Sequence, residues 1–150
     1  FNMLFSQSLS MVRRAGEAHT HHTLTHEEPV DATLGYQAEV AWYNVKSMEA
    51  LARFISAFGK VKEGAGTLLD NTLIFANSDT NNAKVHSVDG VPVMFIGRAG
   101  GRLKTGRHVI GGGDPISRVG LTALQVMGLK QATWGTASLR TSKTIGEVVA

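Results

Sequence analysis

Two apolar runs bracket a polar stretch near the middle of the chain, and no other feature limits the fold as strongly. Residues 68–76 read LLDNTLIFA and residues 91–96 read VPVMFI, with 77–90 between them. From Thr72 to Ala76 and from Val91 to Ile96 the apolar residues are nearly continuous rather than alternating. That is the pattern of strands covered on both faces of a sheet. A buried strand over 68–76, a loop over 77–90 and a second strand over 91–96 are therefore expected.

Helical patterns lie on either side. In 34–58, Ala41, Val45, Met48, Ala52 and Ile55 follow helical spacing, and Leu51, Phe54 and Phe58 widen that face. Trp42 and Tyr43 are expected in the same core. Glu39, Lys46, Glu49 and Arg53 lie opposite, with Glu49 and Arg53 at the i,i+4 spacing of an ion pair. Gly59 suits a C-cap. A second helix is expected over 114–127, with Asp114 as N-cap, Pro115 at the first helical position and Gly128 after its end. A short helix over 1–16 would end at Gly16, with Arg13 and Arg14 in its last turn. Residues 17–33 read as a polar, histidine-rich loop in which Pro29 blocks helix continuation.

This order of elements is α/β. At 150 residues the chain can build one domain with a core. We expect a single α/β domain or fragment over 1–150: helix plus histidine-rich loop in 1–33, then helix, strand, loop, strand, loop and helix in 34–150. Two or three strands are few for such a sheet, so the fold is expected to be incomplete on its own. With Phe1 in place of Met, a processed or truncated product or a part of a longer chain is expected. Residues 1–12 carry no basic leader and no long apolar stretch, so they do not form a signal peptide as they stand.

Composition narrows the function classes. Hydrophobic residues make up 43% of the chain and charged residues 18%, a globular rather than disordered balance. No apolar run reaches the roughly 20 residues that span a bilayer. A net charge of +3 is too mild for a nucleic-acid-binding surface. With no cysteine, disulfides, thiolate metal sites and cysteine nucleophiles are excluded.

The polar chemistry falls in three places. His19, His21, His22 and His26 cluster within eight residues, and His22 and His26 have the HxxxH spacing that lets two imidazoles reach one ion. The alternative is a histidine-rich surface loop; HExxH is absent. The loop 77–90 holds Asp79, Asn81, Asn82, His86 and Asp89 just beyond a strand, where α/β sheets bind ligands. The same residues are good turn formers, so both readings stand. Third, Arg98, Arg102, Lys104, Arg107 and His108 sit among glycines and would cradle an oxyanion or form a solvated hairpin. This is not a Walker A loop, and no G-x-S-x-G elbow is present.

Taken in order, His21-His22-Thr-Leu-Thr-His26, the long helix, Leu68-Leu-Asp-Asn-Thr-Leu73, Ser78-Asp79, His86 ahead of Val91-Pro92, and Gly101-Arg-Leu-Lys-Thr-Gly-Arg-His108 resemble the C-terminal part of the DUF1552 family. These are bacterial proteins of uncharacterised function, usually exported with a twin-arginine signal. The resemblance covers roughly residues 15–150 and implies a periplasmic or secreted location. More distantly the pattern is similar to the alkaline phosphatase and sulfatase superfamily. It implies that sheet architecture and a divalent, zinc-like ion held by His22, His26, Asp79 and His86, with Arg102, Lys104 and Arg107 meeting an anion. His22 stands where that superfamily has an aspartate, and Thr80 where it has a histidine. The superfamily's nucleophile lies in an N-terminal half. The resemblance thus implies one of two functions. One is a non-catalytic accessory or structural subunit completed by another chain or by an N-terminal region. The other is a metal-dependent phosphate or sulfate ester hydrolase whose nucleophile lies elsewhere.

Overall fold

The computed structural model describes residues 9–150. The helix expected over 1–16 falls partly on residues 1–8, outside the described ones; residues 9–16 are irregular, with a turn at Ala15–Gly16. The described chain is mixed α/β. Its helices are α1 (His21–Glu27), α2 (Ala38–Lys60), α3 (Leu68–Asn71) and α4 (Ser117–Val126). Its strands form two separate antiparallel pairs, β1 (Lys62–Glu63) with β2 (Gly66–Thr67), and β3 (Ile74–Asn77) with β4 (Val93–Ile96).

The chain divides into two compact units. Among the described residues, unit 1 comprises 9–54 and 80–88, and unit 2 comprises 55–79 and 89–150, so the boundary falls within α2.

In unit 1, α1 replaces the expected loop. Thr20 starts it: its backbone is extended and its Oγ1 accepts from the Thr23 N–H at 3.1 Å. Pro29 follows the end. Helix α2 begins at Ala38, not 34, because Gly35 is held at φ 75° in a turn in which the Gly35 N–H donates to the Asp31 carbonyl. It runs through Gly59 to Lys60, so Gly59 is not its cap. The buried residues of α2 are Tyr43 and Leu51, whereas Val45 is 53% and Met48 48% exposed. The expected stripe through Ala41, Val45 and Met48 is thus not the inner face. Tyr43, Ser47, Leu51, Phe54 and Phe58 lie on the more buried side. Glu49 pairs with Lys46 at 2.9 Å, one turn before it, instead of with Arg53. Trp42 is flanked by cations, the Arg14 guanidinium at 5.5 Å and the Lys46 ammonium at 5.7 Å from its ring.

In unit 2 the expected strand over 68–76 is a turn of helix followed by a strand. Asp70 accepts from both the backbone N–H and the hydroxyl of Thr67, each at 2.8 Å, and this nucleates α3. The chain then extends into β3. β3 and β4 pair with Ile74 opposite Ile96 and Asn77 opposite Val93. Coverage on both faces is not observed: β3 alternates, and Phe75 is 49% exposed beside Phe95, its cross-strand partner. After β4 the chain turns under α3. Gly97 makes that possible with φ 95°, since a Cβ there would stand 2.3 Å from the Thr72 carbonyl oxygen. The Arg98 and Ala99 N–H groups donate to the Leu69 and Thr72 carbonyls.

Ala99, Leu103 and Val126 form the buried core, with Leu73, Phe95, Val148 and Val149 packed around it. Asp114 does not cap α4; its carboxylate pairs with Arg118, and Ile116 occupies the cap position without a side-chain bond. The far end matches expectation: the Gly128 N–H donates to Gln125 and the Leu129 N–H to Leu124, with Gly128 at φ 88°. The tail is tied to α4. Buried Thr122 accepts from the Ile145 N–H at 2.9 Å, and Arg118 donates through Nε to the Thr144 carbonyl. Trp134 pairs with Thr141 and lays its indole against α4 at Gly120, where a Cβ would stand 2.6 Å from the ring nitrogen.

Gly97→Ala places a methyl group into backbone at a left-handed φ and is expected to lower stability by at least about 2 kcal/mol in urea denaturation. The two Thr67 hydrogen bonds hold the Asp70 carboxyl below its ordinary value of 3.8. Its contribution is therefore present above that value and lost as pH falls through the lower folded one. Asp70→Asn, a mimic of the protonated state, is expected to melt below the parent at neutral pH. The gap should close as pH drops below 3.8, as followed by thermal scans across pH.

Candidate metal centre

Helix α1 places His22 and His26 one turn apart on one face, so the HxxxH spacing is read out on a helix. Their ring centroids are 4.8 Å apart, edge to face. His86 joins them from the loop that unit 1 contributes at 80–88: its ring lies 5.3 Å from that of His26, again edge to face. A short 3₁₀ turn, Ala83–Val85, sets this loop. Asn82 accepts from the Lys84 N–H, the Asn81 N–H donates to Ser87, and the Ser87 N–H donates to Asn82. His86 itself is at φ 51°, a left-handed conformation in which histidine is over-represented among non-glycine residues.

Two side chains that neither spacing nor composition singles out fix the position of α1. The Gln37 amide donates to the carbonyls of Leu24, Thr25 and Glu28 and so closes the C-terminal end of α1. The Glu28 carboxylate accepts from the Glu39 and Val40 N–H groups at 2.7 and 2.9 Å and closes the N-terminal end of α2. His21, beside the candidate ligands, has a different task. It stacks on Tyr43 with centroids 4.6 Å apart, and burial, aided by the charge of His22, holds its imidazole below the usual value. The Tyr43 hydroxyl in turn accepts from the Arg14 N–H.

The three rings fit a borderline divalent ion in donor chemistry, since neutral imidazoles suit Zn²⁺, Cu²⁺ and Ni²⁺. Taken pair by pair, the separations of 4.8 and 5.3 Å are near the roughly 5 Å between centroids of two imidazoles on one tetrahedral ion with Zn–N of about 2.0–2.1 Å. As they stand, the rings are two edge-on pairs sharing His26. Among the described residues no group of three or more His, Asp or Glu side chains is arranged to hold an ion. Asp79, expected with them, is an exposed residue of unit 2, next to the Ser78 N–H that donates to Pro92.

Of the three cations expected to meet an anion, the Arg102 side chain takes part in holding the fold. Arg102 donates through Nε to the Val126 carbonyl at the end of α4, where a cation also meets the helix dipole, and its own carbonyl accepts from Ala150. The Lys104 N–H donates to Val148, joining the loop to the tail. The side chains of Lys104 and Arg107 are exposed. Arg98 stands 4.0 Å from Asp70.

No known protein family, curated protein or solved structure matches the chain. Among the described residues no helix is long and apolar enough to cross a membrane.

If Arg102 serves α4, Arg102→Ala is expected to lower stability by about 1 kcal/mol in chemical denaturation. Arg102→Lys should recover only part of that loss, because the charge is kept and the guanidinium Nε is not.

Proposed function

We propose that this chain is the C-terminal part of an exported, DUF1552-like protein. In this reading it is a non-catalytic accessory or structural subunit that holds a divalent ion on His22, His26 and His86. The observation that carries it is the gathering of these three imidazoles from two separate segments of unit 1, His26 within ring contact of both others. The donor set rests on unit 1 alone. The structural rather than catalytic role is supported by Arg102, whose guanidinium is engaged at the end of α4. An ion that joins α1 to the loop 80–88 would stabilise both segments without any reacting group. The periplasmic or secreted location, the twin-arginine export route, the alkaline-phosphatase-like sheet and completion by a partner chain or an N-terminal region belong to this proposal through the resemblance.

A second reading is a metal-dependent phosphate or sulfate ester hydrolase whose nucleophile lies in an N-terminal half. It is favoured by the exposure of Lys104 and Arg107, which leaves two cations able to meet an anion. When bound, the ion would supply Lewis-acid chemistry to the ester oxygen.

Calorimetric titration with Zn²⁺ is expected to give one equivalent bound. His26→Ala should weaken binding at least about 100-fold and His22→Ala or His86→Ala by a comparable factor. Absence of stoichiometric binding in the parent chain would overturn the metal site. Hydrolysis of a nitrophenyl phosphate or sulfate ester by the longest native form, lost on His26→Ala, would replace the accessory reading with the hydrolase.

A further inference from the structure

Unit 1 carries a groove of about 360 Å³ lined by Tyr36, Gln37, Val40, Ala41, Asn44 and Asn81. It is separate in composition from the histidine trio, and no element of the proposed function uses it. Three properties of its wall define what would fit. No lining side chain is charged, so a fixed ionic ligand would find no counter-charge. Val40, Ala41 and the half-exposed Tyr36 ring offer an apolar floor. Around that floor stand three amides. The Gln37 NH₂ group is already committed to the carbonyls closing α1, which leaves its Oε1 as an acceptor. Asn44 and Asn81 present both donors and acceptors.

The wall is also built rather than incidental. Val40, Ala41 and Asn44 project from the first turns of α2, with Gln37 immediately before them, and Glu28 anchors this end through the Glu39 and Val40 N–H groups. The backbone of Asn81 is fixed by its N–H bond to the Ser87 carbonyl within the loop 80–88 that also carries His86. We propose that this groove binds a neutral saccharide. A sugar ring has apolar C–H faces suited to the Tyr36 ring and the Val40–Ala41 floor, and an equatorial rim of hydroxyls that both donate and accept, suited to amides. The groove is open to solvent, so a sugar would lie along it with part of its hydroxyl rim in water. A peptide segment shares the amide complementarity but lacks the stacked C–H face, and is the competing occupant.

The test uses the intact chain and named probes: glucose, N-acetylglucosamine and maltose, with N-acetylglycinamide as the peptide-like control. Ligand-observed saturation-transfer NMR and chemical-shift titration are expected to show saturable binding of at least one sugar in the millimolar range, with shifts at Tyr36, Asn44 and Asn81. Asn44→Ala and Asn81→Ala, both at exposed positions, should each weaken it about tenfold while circular dichroism is unchanged. His26→Ala, outside the groove, should leave sugar binding intact, which separates this inference from the fate of the metal site. No sugar binding, or binding indifferent to both asparagine variants, would overturn the proposal. So would preferential binding of N-acetylglycinamide, by assigning the groove to peptides.

Discussion

The exchange between Glu28 and Gln37 is the interaction on which unit 1 depends. A helix leaves four N–H groups unpaired at its start and four carbonyls at its end. Here each of two successive helices is closed by a residue from beside the other: Gln37 takes carbonyls at the end of α1, and Glu28 takes N–H groups at the start of α2. Seven residues are too few to hold α1 in water on propensity alone. Its persistence depends on the Thr20 cap, on buried Leu24 and on this exchange. The candidate ligands His22 and His26 thus depend for their position on the residues that hold α1, and the groove beside α2 shares the same anchor.

Unit 2 is organised around a different constraint, the passage of the chain beneath α3 at Gly97. Two backbone N–H groups there, from Arg98 and Ala99, meet the carbonyls that α3 leaves open. The Ala99 side chain reaches full burial at φ 46°, so the core of this unit is assembled around a non-glycine residue in a left-handed conformation. Arg102 then carries the chain to the end of α4, and Arg118 fastens the tail to the start of the same helix.

Hydrophobic spacing makes the long elements legible. The existence of α2, of α4 with its glycine stop, and of the strands at 74–77 and 93–96 can be read from it. Signals of one or two residues are harder. Thr67-Leu-Leu-Asp70 is a capping box, but inside an apolar run it reads as strand, because periodicity outweighs a cap over so short a stretch. Thr20 is likewise an N-cap, hidden by the polar, histidine-rich composition of α1 itself. On α2 the apolar residues extend around much of the circumference, so spacing alone admits two stripes, and the one through Tyr43 and Leu51 is buried. The site is legible where a local period places its members, as for His22 and His26. That His86 meets His26 depends on the fold of the loop 80–88, and the use of Arg102 as a cap depends on where α4 ends. Neither is encoded within a window of sequence.

The packing of Trp134 against Gly120 has a spectroscopic consequence. The chain has two tryptophans, and they fall one in each unit. Trp42 has two cations near its ring, while Trp134 lies on a helix backbone where the tail docks. Each unit therefore carries its own fluorophore in a distinct electrostatic setting. With either indole replaced by phenylalanine, emission from the other becomes a private signal of one unit, and whether the halves of α2 melt as one helix or as two becomes a question that light alone can answer.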